Sequence, residues 1–372
     1  MLDEHLSYVA DAVRLDRYRA AISKALIPGN TVADLGCGSG ILGLLCLQAG
    51  ASHVYAVDDS AMIDVARETL TRAIQGEQVT FIRGKSSQIE LPERVDAVIC
   101  DHVGYFGFDY GVVDFLADAK RRFLKPGGTL IPSRLRLCIA AISSQRCSEL
   151  AHGWQAENIP PEFHWLRRYS TNAKHAVNLE QKDVPGPPAV LGEIDLYADS
   201  PEFFSWNAAM RVERDAVLNG VAGWFECELA ESVWMTNSPL AEQPIKRPQA
   251  FLPIGEPVPV KAGDEIKVTV MARPAEYLIT WTVEFPATGQ RFSHSTWQGM
   301  LLSPDVLVRS MPNHIPQLSH EGRARMTVLG YCDGKRTTQE IEQAVLRDYP
   351  HLFPSSAEIS RFVAQVLGRD TR

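Results

Sequence analysis

The chain has 372 residues, of which 45% are hydrophobic and 22% are charged, and its formal net charge is −8. This composition is that of an ordinary soluble globular protein of about two or three domains. The negative charge argues against a broad surface for nucleic acid or anionic membrane. The seven cysteines include no C-x-x-C pair, which indicates a reduced, cytoplasmic protein without a disulfide framework or metal site. Residues 1–30 lack a signal-type apolar segment, so neither export nor a membrane partner is expected.

The first segment, residues 4–26, is predicted to form one amphipathic helix. Its apolar stripe consists of Leu6, Val9, Ala10 and Val13. His5 and Arg14 lie near this stripe. Taken alone, these residues indicate a solvated helix with an ion-paired arginine.

Three glycines follow a short buried strand that begins at Val32, and a helix is predicted directly after them, at 41–49. Gly36, Gly38 and Gly40 suit a turn that a ligand approaches closely, because glycine tolerates positive φ. The helix after them directs free N–H groups and its positive end at that ligand. A second strand, 53–57, ends in Asp58, whose carboxylate can accept two ribose hydroxyls. The pattern therefore predicts a nucleoside-cofactor site in an α/β sheet.

Two cofactors compete for this site. Residues 38–43 also match G-x-G-x-x-G, the dinucleotide fingerprint. Asp34, two residues before the first glycine, is expected to point its charge into the turn. A carboxylate there would repel the pyrophosphate of NAD and hold the ammonium of S-adenosylmethionine. The residues therefore favour a site for S-adenosylmethionine over a site for NAD, and over a glycine turn that only imitates a cofactor site.

The segment up to residue 131 is predicted to form a doubly wound parallel sheet, because strands and helices alternate along it. Its further elements are a helix at 60–74, a strand at 79–84, a strand at 94–100, a helix at 115–123 and a turn feeding a strand at 124–132. Lys85, Ser86 and Ser87 follow one strand, where adenine contacts are usual. The next strand delivers Asp101 to the carboxyl edge of the sheet, where ligands bind.

Residues 132–305 are predicted to form an antiparallel β-barrel or sandwich. Short β-like runs separated by turn residues lie at 135–142, 224–229, 257–260, 266–272, 277–284 and 293–302. Within this region the segment at about 148–180 is rich in aromatic residues and shows no strand alternation. It is either core packing or an arm that covers a partner subunit.

The tail, 306–372, is predicted to form three small helices joined by an Asp333-Gly334 turn. Capping-box patterns at 337–340 and 355–358 mark two helix starts. The last helix has one apolar face, made of Ile359, Phe362, Val363, Val366 and Leu367.

The motifs of residues 5–131 resemble those of the protein arginine methyltransferases. They are His5 and Arg14, the glycine turn with Asp34, Asp58, Gly84-Lys85 and Asp101-His102-Val103-Gly104-Tyr105-Phe106. The resemblance continues to about residue 300 through Asn237-Ser238-Pro239, Val260–Ile266 and Ser293–Thr296. The aromatic segment stands where that family has its dimerisation arm, so the resemblance implies a homodimer.

The resemblance also implies roles for the cofactor residues. Arg14 would pair with the methionyl carboxylate, and Asp34 with the glycine turn would hold the amino group. Asp58 and the neighbouring Asp59 would take the ribose. The adenine would lie against Lys85, Ser86 and Ser87, and His5 completes the predicted cofactor set.

This chain departs from the family where the acceptor binds. The family has two glutamates on the loop after the fourth strand, which suit a planar guanidinium gripped bidentately. Here the first is Asp101, the second falls on Tyr110, and Asp109 stands one position early. Ile245-Lys246-Arg247 replaces the family's Thr-His-Trp, and both cations are expected to repel an arginine substrate.

A single carboxylate at Asp101 would suit one nitrogen, such as an imidazole or an amine, which it would orient and deprotonate. His102 and Tyr105 are candidates for shaping that pocket, although ordinary packing is the alternative for His102. For Asp109 the alternatives are a solvated turn residue and a catalytic carboxylate, which together with Asp101 would restore arginine activity.

The leading hypothesis is an S-adenosylmethionine-dependent N-methyltransferase acting on a peptide or protein side chain. A small-molecule N- or O-methyltransferase and a non-catalytic scaffold are the alternatives. Residues 331–341 resemble winged-helix, PqqD-type modules that recognise precursor peptides in ribosomal peptide biosynthesis. That resemblance implies leader-peptide binding at an exposed strand edge or groove; the alternative is a helical cap on the barrel or dimer.

Overall fold

The computed structural model of the protein describes residues 2–73, 77–351, 353 and 355–371. The chain divides into two compact units, the first ending at Met300 and the second beginning at Leu301. Each unit has its own hydrophobic core.

The N-terminal segment forms two helices, α1 (Leu2–Val9) and α2 (Ala12–Ala25). The break lies at Asp11, whose backbone is extended and whose Oδ1 accepts a hydrogen bond from the Arg14 amide at 3.2 Å. Asp11 is therefore the N-cap of α2. The prediction of one continuous helix over residues 4–26 is wrong, because this cap starts a new helix.

A parallel sheet forms the first layer of the larger unit, in the strand order β3-β2-β1-β4-β5. The strands are β1 (Thr31–Leu35), β2 (His53–Asp58), β3 (Val79–Arg83), β4 (Val95–Cys100) and β5 (Leu124–Ile131), and the helices between them are α3 (Ile41–Gln48), α4 (Met62–Ala73) and α5 (Val112–Arg122). The doubly wound α/β prediction is confirmed, and the described residues form five strands of this sheet. The last residue of the predicted helix over 60–74 lies outside the described residues.

The chain order brings three strand ends to one edge of this sheet. Leu35 at the end of β1 pairs with Val57 in β2 and with Cys100 in β4. The residues that follow these strands therefore meet there. The strand order reverses between β1 and β4, and ligands of open α/β sheets bind at such a point.

Two antiparallel sheets follow, as predicted for the barrel region, in the orders β7-β12-β10-β6-β8 and β15-β14-β13-β9, with β11 paired to β10. The strands are β6 (Arg134–Ile142), β7 (His175–Val177), β8 (Ala189–Asp195), β9 (Phe204–Arg211), β10 (Ala216–Ala230), β11 (Val233–Thr236), β12 (Gln249–Val260), β13 (Glu265–Arg273), β14 (Leu278–Phe285) and β15 (Gln290–Ser295). Trp281 links the two sheets, because its indole Nε1 donates to the Pro253 carbonyl at 2.6 Å.

The region of the aromatic segment follows β6 and includes α6 (Gln145–His152), α7 (Arg167–Ser170) and β7, with 3₁₀ turns between the two helices. Three of its aromatic side chains are exposed: Trp154 by 41%, Phe163 by 50% and Trp165 by 60%. The two alternatives for this segment are core packing and an arm that covers a partner subunit. These three side chains are not part of the core.

The smaller unit is helical, with α8 (Pro304–Ser310), α9 (His320–Gly330), α10 (Thr338–Asp348) and α11 (Ser356–Asp370). Its core lies between α9, α10 and α11 and consists of Ala324, Val328, Ile341, Val345, Ile359, Val363 and Val366. The capping box at Thr337 and Glu340 is formed in both directions, whereas at Ser355 the hydroxyl alone caps the Glu358 amide. The described residues of this unit form no strand, so the strand edge expected for leader-peptide docking is not found among them.

All seven cysteines are free, six of them buried, and Cys332 in the smaller unit is exposed. Within the part of the chain that the structure describes, no helix has both the length and the apolar surface needed to cross a bilayer.

Candidate active site

The glycine turn after β1 lies between two imidazole rings. Gly36 and Gly38 have φ values of +68° and +53°, which favour glycine. A Cβ atom on Gly36 would lie 1.9 Å from Cε1 of His102, and one on Gly38 would lie 2.7 Å from Cε1 of His5. No larger residue fits at either position, so the turn and the two histidines form one closely packed surface.

Asp58 at the end of β2 has a fixed orientation. Its Oδ2 accepts from the Gly38 amide at 2.9 Å, and its Oδ1 accepts from the amide and hydroxyl of Ser60 at 2.9 and 2.6 Å. Oδ2 keeps a lone pair for one further donor, such as a sugar hydroxyl. The predicted ribose residue is thus held beside the glycine turn.

Two adjoining cavities of about 310 and 280 Å³ run along this edge of the sheet. They share Gly36, Asp58, Asp59 and His102. The first cavity extends to Gly84, Lys85, Ser86, Ser87, Phe115 and Tyr277, and the second extends to Glu4, His5, Tyr8, Arg14, Asp101 and Tyr110. Together they form one elongated trough, which contains most of the sequence-predicted cofactor residues.

Asp34 lies beneath the glycine turn. Its Oδ2 accepts from the Gly43 amide at 2.9 Å, while its buried Oδ1 has no hydrogen-bond partner among the described residues. Burial raises the pKa of this carboxyl to about 7. An unpartnered, buried carboxylate oxygen beside the turn is compatible with a cationic ligand group, and the contact with an amino group stays a prediction.

Asp101, which follows β4, is held by two arginines. Nε and Nη2 of Arg14 each lie 2.7 Å from its Oδ2, and Nη2 of Arg247 lies 3.0 Å from the same oxygen. Although burial opposes ionisation, the two guanidinium groups hold the pKa of Asp101 well below its usual range. The carboxylate can therefore orient an acceptor, but it is a weak base, and the structure does not support the deprotonating role expected for it.

The sequence-based expectation for Lys246 and Arg247 is that both repel an arginine substrate. The Arg247 side chain is buried against Asp101, and the Lys246 side chain is exposed. The Lys246 amide donates to Oδ2 of Asp11 at 2.6 Å, which ties the barrel segment to the N-cap of α2. Repulsion of an arginine substrate by these two cations stays a prediction, whereas the ion pair of Arg247 with Asp101 was not expected from the sequence.

Asp109 is a structural residue of the acceptor loop. Its Oδ1 accepts from the amides of Tyr105 and Phe106 at 3.0 and 2.9 Å, and its Oδ2 is paired with Lys174. Its side chain is only 1% exposed. It is therefore not a solvated turn residue, and these contacts use its oxygens, so it does not rebuild the second carboxylate of the site. Lys174 was not singled out from the sequence, because no local pattern joins it to Asp109.

Tyr110 and His102 border the trough. The Tyr110 hydroxyl donates to the Tyr105 hydroxyl at 3.4 Å, and this contact together with burial raises the pKa of Tyr110. Burial lowers the pKa of His102, so its ring is neutral near pH 7. That ring packs edge-on against Phe115 at 4.9 Å between centroids. His102 thus has both of the predicted features, packing and a place in the cavity wall.

Asn237 connects the acceptor loop to the barrel. Its Nδ2 donates to the carbonyls of Tyr105 and Pro248 at 2.9 and 2.7 Å, and its Oδ1 accepts from the Phe225 amide at 3.0 Å. Nε2 of Gln249 donates to the Asn237 carbonyl at 2.6 Å. This network fixes the backbone around Arg247 relative to the loop that carries Asp101.

Two family models match the chain. Residues 32–128 match a methyltransferase domain, and residues 134–284 match the arginine methyltransferase oligomerization subdomain. Both matches end before the smaller unit, and the resemblance of that unit to precursor-peptide-recognition modules is not confirmed.

Curated relatives match over most of the larger unit. The chain is 30% identical over 313 residues to protein arginine N-methyltransferase PRMT10 of Oryza sativa subsp. japonica, which covers 74% of this chain and 82% of the rice protein. It is 27% identical over 280 residues to protein arginine N-methyltransferase 1 of Schizosaccharomyces pombe, covering 73% of this chain and 82% of the yeast protein.

Two solved structures share the fold. The Trypanosoma brucei PRMT1 enzyme-prozyme heterotetrameric complex with AdoHcy has a TM-score of 0.69 and 21% identity, over 78% of this chain and 96% of that one. The open conformation of Arabidopsis thaliana protein arginine methyltransferase 10 has a TM-score of 0.68 and 23% identity, over 80% and 98%.

Proposed function

Because the chain belongs to the protein arginine N-methyltransferase family and is an S-adenosylmethionine-dependent methyltransferase, we propose that it methylates a single side-chain nitrogen of a peptide or protein beside Asp101. The family, the enzyme class and the cofactor expected from the sequence are confirmed. The observation that carries the proposal is the continuous trough from Lys85 past Asp58 to Asp101.

We assign each part of the cofactor a partner in or beside this trough. Lys85, Ser86 and Ser87 border the adenine, and Asp58 with Asp59 binds the ribose hydroxyls. The remaining partners hold the methionyl end: Arg14 pairs with the carboxylate, Asp34 and the turn at Gly36, Gly38 and Gly40 hold the amino group, and His5 covers Gly38. When bound, the cofactor supplies an electrophilic methyl group on a sulfonium.

Catalysis in this site consists mainly of alignment. Asp101 accepts one N–H of the acceptor and turns the reacting lone pair towards the methyl carbon. Tyr110 and His102 form the walls of this pocket, and Tyr105 supports Tyr110 through the contact between their hydroxyls. Since the pKa of Asp101 is held low, it stays an anion throughout and orients the acceptor without taking its proton.

The three segments have different tasks. Residues 1–131 bind the cofactor, 132–305 bind the acceptor, and 306–372 recruit the peptide. Homodimerisation through the arm at 148–180 is supported by the oligomerization-subdomain match and by the exposed aromatics of that arm. The unpaired cysteines support a cytoplasmic location.

A ribosomally made precursor peptide is the substrate that the smaller unit favours. This unit has its own core, and it exposes apolar side chains at Met326, Leu329 and Leu346. A groove between its helices is the remaining route for leader recognition, since its described residues form no strand. A chain that ends at Met300 distinguishes the two kinds of substrate. It should keep full activity if the substrate is a small molecule. If the smaller unit recruits a peptide, the KM of this shortened chain for that peptide should rise while its kcat changes little.

The proposed role of Asp101 is tested with Asp101→Asn and full-length protein. Methyl transfer to peptides, followed by mass spectrometry, should fall by about 100-fold, because the acceptor loses the anion that orients its lone pair. Asp16→Asn, an exposed carboxylate on α2, is the matched control and should keep wild-type turnover. Unchanged turnover in Asp101→Asn would remove the basis of the proposal.

A further inference from the structure

We propose that Arg247 is a specificity-determining residue: it occupies the acceptor carboxylate from within the chain and makes the site select a neutral histidine imidazole over an arginine guanidinium. This inference rests on the methyl-transfer function proposed above and names the acceptor class of that same site.

The geometry leaves Asp101 unable to bind a third guanidinium bidentately. Its Oδ2 already receives N–H groups from Arg14 and Arg247 at 2.7 to 3.0 Å. Its Oδ1 has only the longer contact with Nη1 of Arg247, at 3.4 Å. A guanidinium binds a carboxylate bidentately through both oxygens, whereas here one oxygen has room for one further donor.

No other carboxylate in the described trough replaces it. Asp109 is turned to Lys174 and to backbone amides, and Tyr110 stands where the family's second glutamate would be. Asp58 and Asp59 line both cavities, but Asp58 is fixed by Gly38 and Ser60, and both carboxylates are assigned to the ribose in the proposed complex. Glu4 is on the exposed helix α1, where its Oε1 accepts from the Tyr8 hydroxyl.

The charge balance opposes a cationic acceptor. Two buried guanidinium groups surround one carboxylate. The carboxylate of S-adenosylmethionine would offset Arg14, but the cofactor also brings an ammonium and a sulfonium, so this part of the site stays net positive when the cofactor is bound. An arginine side chain would have to lose its hydration next to these cations without gaining an anion of its own. A protonated lysine meets the same obstacle, and Asp101 is too weak a base to neutralise it.

Arg247 is held in place. Its side chain is 6% exposed, and its guanidinium lies 5.5 Å from the centroid of the Tyr8 ring. Its amide donates to the Ile245 carbonyl at 2.8 Å, and its own carbonyl accepts from Gln249 at 3.3 Å. A substrate guanidinium would have to displace a buried, paired side chain on a fixed backbone.

A histidine imidazole satisfies these conditions. Near neutral pH it is largely uncharged, with one N–H donor and one free lone pair. Oδ1 of Asp101 accepts the N–H, and the opposite nitrogen faces the methyl group. The nitrogen lone pair forms the N–CH₃ bond while the C–S bond breaks and its electron pair returns to sulfur. The methylimidazolium then loses its N–H proton to solvent water.

The test uses full-length protein, S-adenosylmethionine and three peptide pools of equal length with degenerate flanks. Each pool contains one acceptor type, His, Arg or Lys, and mass spectrometry locates the added methyl. We expect the wild type to prefer the His pool over the other two by about tenfold or more. Arg247→Met should raise the ratio of the rate on the Arg pool to the rate on the His pool by about tenfold. Arg247→Lys, which keeps the positive charge, should have the same ratio as the wild type.

Lys246→Met, which removes the exposed neighbouring charge, is the control and should leave the ratio unchanged. Calorimetry with S-adenosylhomocysteine verifies that each variant retains the cofactor site, and Arg247→Gln replaces Arg247→Met if the latter loses it. A wild type that methylates the Arg pool as fast as the His pool would overturn the inference and leave the proposed function standing. An unchanged ratio in the Arg247→Met or Arg247→Gln variant would overturn the role of Arg247.

Transfer to none of the pools, with cofactor binding intact, would overturn the proposed function and this inference together.

Discussion

Three aspartates near the same sheet edge lie in different surroundings. Asp34 is buried with one amide donor, Asp58 is fixed by an amide and a serine, and Asp101 is enclosed by two guanidinium groups. Burial favours the protonated form of Asp34, whereas the arginines keep Asp101 ionised. Within one site, therefore, Asp34 is an aspartate that titrates near neutral pH, and Asp101 is an aspartate that stays ionised.

The cofactor-free protein should lose stability as the pH rises through the pKa of Asp34. Burial raises this pKa from 3.8 to about 7, so folding favours the protonated carboxyl. Its contribution is complete below about pH 4 and is lost as the pH rises through 7, with an upper bound of about 4 kcal/mol. Urea unfolding of the wild type and of Asp34→Asn between pH 4 and 8 measures it.

The free energy of unfolding of Asp34→Asn should depend less on pH over this interval, since an amide does not titrate. Parallel pH profiles for the two proteins would show that burial does not shift this carboxyl as stated. Saturating S-adenosylmethionine should reduce the pH dependence of the wild type, because a cationic group favours the ionised carboxylate.

At the scale of the element, α2 joins the cofactor half to the barrel through its N-cap. One oxygen of Asp11 caps the helix, and the other accepts from the Lys246 amide. Arg14 lies in the first turn of the same helix and bonds Asp101. A single aspartate thus sets the position of an arginine in the cofactor cavity and of the segment that carries Arg247.

Asp11→Ala should lower the free energy of unfolding by about 2 kcal/mol, because it removes a helix cap and leaves the Lys246 amide without its acceptor. It should also weaken S-adenosylmethionine binding, since the first turn that carries Arg14 loses its cap. Denaturant unfolding and calorimetry measure the two effects. Asp16→Ala, whose carboxylate contacts only Arg19 on the helix surface, should change neither, and equal effects in both variants would contradict this role of Asp11.

The elements of the cofactor half were predictable because glycine turns and apolar runs mark them. The strand that begins at Val32 and the Asp58 strand end follow such signals directly. The break at Asp11 was missed, although aspartate is a typical N-cap, because the apolar stripe continues across it. Strand β9 was missed although Phe204, Trp206, Ala208 and Met210 alternate with more exposed residues, which is a strand signal.

The site was predictable where residues follow strand ends and unpredictable where distant residues pair. Lys85, Ser86 and Ser87 border the trough, as expected from their place after β3. The pairs that decide the acceptor chemistry, Asp109 with Lys174 and Asp101 with Arg247, join residues 65 and 146 positions apart. Local sequence patterns carry no information on such partners, whose meeting depends on how the barrel packs against the sheet.

At the scale of the whole molecule, the arm presents an aromatic surface that the larger unit does not cover. Trp154, Phe163 and Trp165 lie within a short stretch, and all three are exposed. Aromatic side chains in this state are typical of protein interfaces. The surface is part of the region that matches an oligomerization subdomain.

The double substitution Phe163→Asp and Trp165→Asp should convert a dimer into monomers, because charged groups at the centre of an apolar interface lose their hydration without a partner. Size-exclusion chromatography with light scattering measures the mass. Phe203→Asp, an exposed aromatic outside the arm, should leave the mass unchanged. A wild type that is monomeric at micromolar concentration would contradict the dimer.

The distribution of thiols has a practical consequence for studies of the smaller unit. Six cysteines are buried in the larger unit, and Cys332, between α9 and α10, is the accessible one. A maleimide fluorophore should therefore attach at Cys332 of the unmodified chain without any cysteine being engineered in or out. Changes in its emission or anisotropy during titration would report directly on which peptides engage the helical tail.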